Sequence, residues 1–143
     1  GVSSAASDVY KRQVWDCAWS MRADERVFAT ASRDKTVKLW RLTTAGERPY
    51  EALATLRLAD AATCVALGAA NELAVGLENG DVLLFREGGG SWTLGAHLPR
   101  HHTGAVTQVA FRPQGAWMDA YAKVPSVLLS TGEDGAVRVV TWA

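Results

Sequence analysis

The chain repeats itself, and that limits its folds more than any other feature. Three stretches align without gaps: Ala29 to Trp40, Ala74 to Phe85 and Leu129 to Val140. Each reads as a short apolar strand, a polar turn and an alternating strand ending in a bulky apolar residue. Asp34 and Asn79 are 45 residues apart, and Asn79 and Asp134 are 55 apart. An insert near residues 113 to 125 accounts for the longer interval. Upstream of each turn lies a further strand: Val14 to Trp19, Thr63 to Leu67 and Ala105 to Phe111. β-Branched and aromatic residues fill these runs, and Gly, Asn, Asp and Pro punctuate the gaps. Leu53 to Ala62 has helical propensity, but the repeat register puts an outer strand near Ala52 to Leu58, and propensity is the weaker signal.

The turns agree. Arg33-Asp34-Lys35, Glu78-Asn79-Gly80 and Glu133-Asp134-Gly135 each join two strands. Asn-Gly and Asp-Gly suit tight hairpins because they tolerate positive φ. Gly88-Gly89-Gly90 reads as a hairpin loop; a phosphate cradle needs a lysine and a following helix, and neither is there. A period of about 40 to 45 residues with four strands per unit is the mark of a propeller blade.

Composition narrows the function. The 143 residues suit one domain. Hydrophobic residues make up 48%, and 15 basic residues balance 15 acidic ones. That argues against disorder and against a protein held on nucleic acid by bulk charge. No apolar run is long enough to span a membrane. Cys17 and Cys64 make neither a disulfide framework nor a four-ligand zinc site, and a reducing compartment is the expectation. Both cysteines, with Trp15, Trp19, Trp40 and Trp142, are expected in the core.

The segment 1–13 has no period. Asp8 to Gln13 resembles the translation of an end sequence that transposon-based sequencing kits attach to DNA, so a non-native tail is expected there.

Ser32-x-Asp34 followed by Trp40 resembles the end of a WD repeat, and His102-Thr103-Gly104 with Val109-Ala110-Phe111 resembles the start of one. The resemblance to WD-repeat β-propellers covers residues 14 to 142. It implies an all-β fold: an open arc of about three four-stranded antiparallel blades, an incomplete ring. The blades would span 14–58, 59–98 (degenerate) and 99–143, the last lacking its outermost strand. Asn79 and Phe85 replace the usual Asp and Trp in the second unit, and Val140 stands at the Trp position in the third. The resemblance also implies a buried blade network of Ser32, Asp34 and Trp40 in the first unit and of His102 and Asp134 in the third, with Ser130 or Thr131 supplying a hydroxyl.

Val14 to Ser20, Phe28 to Lys35, Leu73 to Gly80 and Gly132 to Arg138 are similar to the C-terminal part of the WD-repeat subunits of the Elongator complex. That likeness implies a non-catalytic scaffold supporting transfer RNA wobble-uridine modification, with the large scaffold subunit, the catalytic subunit and further blades of a longer chain as partners. It implies a cytoplasmic and nuclear location, no cofactor, and no direct nucleic-acid contact by this segment. The alternative is a general WD adaptor that reads peptides or proteins in signalling or ubiquitin ligation.

His102, Ser130 and Asp134 also fit a Ser-His-Asp triad, but they fall on repeat-equivalent positions with no oxyanion-hole signature. His97, His101 and His102 invite a metal reading; neighbours on a strand point to opposite faces and do not converge. Trp117, Met118 and Tyr121, on the insert, are candidate partner contacts. Arg33, Lys35, Lys38 and Arg41 read as a solvated basic face.

Overall fold

Alternating side chains and short turns produce, among the described residues, eleven strands in three antiparallel sheets. The structure is a computed structural model and describes residues 12–22, 26–44, 46, 48–113 and 126–142. Trp117, Met118, Tyr121 and residues 1–11 of the expected tail lie outside the described residues. The first sheet runs β1 (Val14–Trp19), β2 (Val27–Ser32), β3 (Thr36–Leu42), β4 (Tyr50–Arg57), neighbours in chain order. The second repeats that meander with β5 (Ala62–Gly68), β6 (Glu72–Leu77), β7 (Val82–Gly88) and β8 (Ser91–Leu98). The third has β9 (Val106–Phe111), β10 (Ser126–Gly132) and β11 (Val137–Trp142), with β11 at the edge. Among the described residues there is no helix.

The repeat extends to irregularities. Each innermost strand carries a bulge at the same place, passing over Trp15, Thr63 and Thr107 in turn. The outer strands β4 and β8 do the same at Leu53 and Gly95. Such bulges sharpen strand twist, which fanned sheets need.

Two apolar layers hold the sheets together. Ala29, Ala31, Val37 and Leu39 of the first sheet meet Leu67, Leu73, Val75 and Phe85 of the second. Cys64, Ala74, Val82 and Leu84, on the other side of the second sheet, meet Val106, Val109, Phe111 and Leu128 of the third. A fully buried leucine or valine contributes about 1.5–3 kcal/mol, so these layers are the main adhesive. Polar links set the register between blades. Asp16 Oδ2 accepts from the Val65 amide at 3.0 Å, and Thr63 Oγ1 donates to the Val106 carbonyl. The Ser126 hydroxyl donates to buried Glu72 at 2.6 Å. Trp142 packs against the second sheet, where Gly95 leaves room: a Cβ there would lie 2.8 Å from the indole. The Arg86 guanidinium lies 4.2 Å from the centroid of that ring.

Two core expectations fail. Trp19 is 61% exposed, because it projects from the face of the first sheet opposite the one that meets the second. Cys17 is exposed with it. Cys64 is buried, and burial pushes its thiol up to about 11, so it stays protonated and inert.

Candidate functional site

The β2–β3, β6–β7 and β10–β11 turns share one design. The residue in the left-handed region is the third of each turn: Lys35 (φ 68°), Gly80 (φ 95°) and Gly135 (φ 77°). The acid or amide before it caps the turn instead. Asp34 Oδ1 accepts from the Thr36 amide, Asn79 Oδ1 from Asp81, and Asp134 Oδ1 from Ala136, each at 3.0 Å. This is the short side-chain-to-backbone bond that suits Asp and Asn to turns.

In the third blade Asp134 also holds a histidine. His102 Nδ1 lies 3.1 Å from Asp134 Oδ1, and His102 Nε2 lies 2.8 Å from Ser130 Oγ. Thr103 donates its amide to Asp134 Oδ2 at 2.9 Å. The hydroxyl is therefore Ser130; Thr131 pairs with Thr107. Gly132 has a different duty. A Cβ there would sit 2.5 Å from His102 Nδ1, so the imidazole occupies the space a side chain would fill.

The first blade departs from expectation. Trp40 Nε1 donates to Thr30 Oγ1 at 3.0 Å, not to Ser32. The register explains this: Trp40 faces Phe28 and Thr30 faces Lys38, so Thr30 is the diagonal neighbour of Trp40 on the same face, whereas Ser32 lies two residues further on, at the turn. Ser32 Oγ donates to the Gln13 carbonyl and accepts from the Asp34 amide. Asp34 also takes the Thr36 hydroxyl. Gln13 closes the expected non-native tail, yet its carbonyl serves the first sheet.

Pairing shows what the second blade does. Thr30, Val75 and Ser130 face equivalent inner-strand residues: Cys17, Val65 and Val109. Trp40, Phe85 and Val140 face Phe28, Leu73 and Leu128. Leu58 stands where His102 stands, since its amide donates to the Lys35 carbonyl as the His102 amide does to that of Gly80, and it packs in the layer that holds Val75 and Phe85. Blade two has thus exchanged the polar network for apolar contact. The exchange escapes a motif search, because no retained residue marks Leu58 as a replaced histidine.

The third-blade geometry has the connectivity of a catalytic triad, but His102 is 0% and Ser130 2% exposed. A substrate cannot reach either, and a satisfied buried network fixes one geometry. The histidines do not gather. His97 Nε2 pairs with Asp81 at 2.8 Å. His101 and His102 lie on a bend, not a strand, and their rings meet edge to face at 5.4 Å. Among the described residues no three His, Cys, Asp or Glu side chains form a metal-sized group. The basic residues are dispersed: Lys38 lies 5.9 Å from the Trp40 ring centroid, Arg41 is 3.9 Å from Glu51, and Arg33 and Lys35 share a hollow with Asp60 and Glu78.

Asp134 is held at about 2, below its ordinary 3.8, by the Ala136 and Thr103 amides first and His102 second. A depressed carboxylate gives stability that is complete above its unfolded value and vanishes as pH falls through the folded one. The melting-temperature gap between wild type and Asp134→Asn should therefore shrink steadily from pH 5 to pH 2. A gap that does not change with pH would contradict this role.

The family model described as "WD domain, G-beta repeat" matches residues 7–41 and 92–140. The chain belongs to the WD-repeat family. Within that family it is similar to Elongator complex protein 2 of Schizosaccharomyces pombe, 32% identical over 95% of this chain and 18% of that protein. It is also similar to Elongator complex protein 2 of Saccharomyces cerevisiae, 36% identical over 60% of this chain and 11% of that one. The WD-repeat chain thus spans less than a fifth of these relatives. Among solved structures it resembles Chaetomium thermophilum Sqt1 bound to the N-terminus of the ribosomal protein L10. The TM-score is 0.68 with 27% identity, covering 90% of this chain and 31% of that one.

Proposed function

We propose that this chain is a rigid, non-catalytic part of the WD-repeat subunit of an Elongator complex. In this reading it supports transfer RNA wobble-uridine modification through protein contacts with the large scaffold subunit and the catalytic subunit, in the cytoplasm and nucleus. The supporting observation is the likeness to Elongator complex protein 2 over 95% of the chain. The geometry agrees, because His102 and Ser130 of the triad-like constellation are buried inside their blade. Blades locked by apolar layers and short polar links present fixed loop ends, which suits a protein that positions others. Affinity copurification of the tagged protein from its own cells tests this. Recovery of the other Elongator subunits is expected; their absence from a stable, soluble bait would overturn the reading. The second reading, a WD adaptor for peptides, draws on the likeness to Sqt1, whose structure holds a protein N-terminus. It predicts a peptide-bearing partner and no Elongator subunits in the same experiment.

A further inference from the structure

The contact between the first and second sheets differs at one place from that between the second and third. Phe85 and Val140 are register equivalents, so Glu87 and Trp142, two residues further on, are equivalents too. Arg41 and Arg86 correspond likewise, facing Val27 and Glu72 across their hairpins. Leu53 and Gly95 correspond as the bulged residues of β4 and β8. Between the second and third sheets this place is filled. The Trp142 ring lies under the Arg86 guanidinium, 4.2 Å from it, in the room that Gly95 leaves. Between the first and second sheets Glu87 stands at the Trp142 position and Leu53 at the Gly95 position. With Arg41 they line a cavity of about 230 Å³, whose remaining walls include Ala54, Leu67 and Trp92. Solvent reaches it past Arg41, whose side chain is 55% exposed, and past Leu53, which is 42% exposed.

We propose that this cavity is a slot for one aromatic side chain of a partner protein, a tryptophan or a tyrosine, seated against Arg41 as Trp142 is seated against Arg86. The charges suit that occupant. The Arg41 guanidinium lies 3.9 Å from Glu51, longer than a hydrogen bond, and a cation at a pocket mouth attracts the negative face of a ring. The Glu87 carboxylate accepts the Gly90 amide at 2.9 Å, and a carboxylate has further acceptor positions for an indole N–H or a phenol O–H. Ala54, Leu67 and Trp92 supply apolar walls. Small-molecule sites occupy roughly 300–1,000 Å³, so a smaller space suits a single side chain better than a cofactor. Aromatic anchors in such pockets carry much of the energy of protein interfaces. Both sheets that build the slot belong to this chain, so it needs no further blade. The slot does not depend on the partner being an Elongator subunit, so this proposal and the copurification can fail separately.

The probe is N-acetyl-tryptophanamide, titrated into the isotope-labelled chain and followed by nuclear magnetic resonance at the Trp92 indole N–H and the Arg41 Nε–H. Both signals should move saturably, with a Kd on the order of millimolar for a single side chain. N-acetyl-leucinamide should bind at least about fivefold more weakly, since it has no ring for Arg41. Arg41→Gln changes an exposed side chain, so the strand signal in circular dichroism should persist while the tryptophan probe binds at least about fivefold more weakly. Leu53→Gly/Glu87→Trp rebuilds the second contact in the first, with the chain's own indole beside Arg41, and should abolish probe binding. Absence of a saturable shift at Trp92, equal binding of the leucine probe, or unchanged binding by either variant would overturn the proposal.

Discussion

Gly80→Ala should destabilise the chain by about 3–5 kcal/mol, read as a fall in the urea midpoint at fixed protein concentration. Two costs combine at this residue. Its φ of 95° lies in the left-handed region that an alanine adopts only under strain. A Cβ would also lie 1.9 Å from the His102 carbonyl oxygen, with the Gly104 carbonyl at 3.0 Å. Neither backbone can retreat freely, because the His102 amide donates to the Gly80 carbonyl at 3.0 Å and the same residue is anchored by Asp134 and Ser130. The substitution therefore pries the β6–β7 turn of one blade from the loop opening the next. Gly135→Ala is the control: its φ is 77°, but nothing lies within 4 Å of the added carbon, so only the backbone cost applies. Equal losses at the two positions would show that blade-to-blade contact is not what Gly80 protects.

His102→Ala is the second large effect, about 2–4 kcal/mol. It empties a fully buried site, leaves the Ser130 hydroxyl without its partner, and frees the Asp134 carboxylate from one of its bonds. The rest of Asp134 survives, since the Ala136 and Thr103 amides still reach it. The turn should therefore persist while the loop 101–104 loosens, and amide exchange should quicken at His102 and Thr103 more than at Ala136. Uniform quickening across the sheet would contradict a local anchoring role.

The spacing of Asp34, Asn79 and Asp134 made the three sheets and their turns readable in advance, because a repeated hairpin places the same residue types at the same offsets. The hydroxyl partner of Trp40 was misplaced for a physical reason. Ser32 and Thr30 share a face of β2, and only pairing with β3 decides which lies beside the indole. The bulges at Trp15, Thr63 and Thr107 left no signal in residue type, since an aromatic and two threonines serve equally. Trp19 looked like core because it is apolar and on an inner strand. Its exposure depends on what lies beyond the first sheet, which alternation within the strand does not report. Gly132 carries no signal in residue type for its part in the network, which is that its absent side chain admits the His102 ring.

The central claim is that the His102–Ser130–Asp134 constellation holds a blade together and performs no chemistry. Blade two states the same claim in apolar residues, with Leu58 and Val75 at the corresponding positions. A double-mutant cycle in urea unfolding, with His102→Leu and Ser130→Val, tests it most directly. Each single change should destabilise, because each strands a buried polar partner. Together they should cost less than their sum by at least about 0.5 kcal/mol, since the pair imitates blade two. Strict additivity would mean that the two side chains are not one structural unit, and the account of the blade would fail with it.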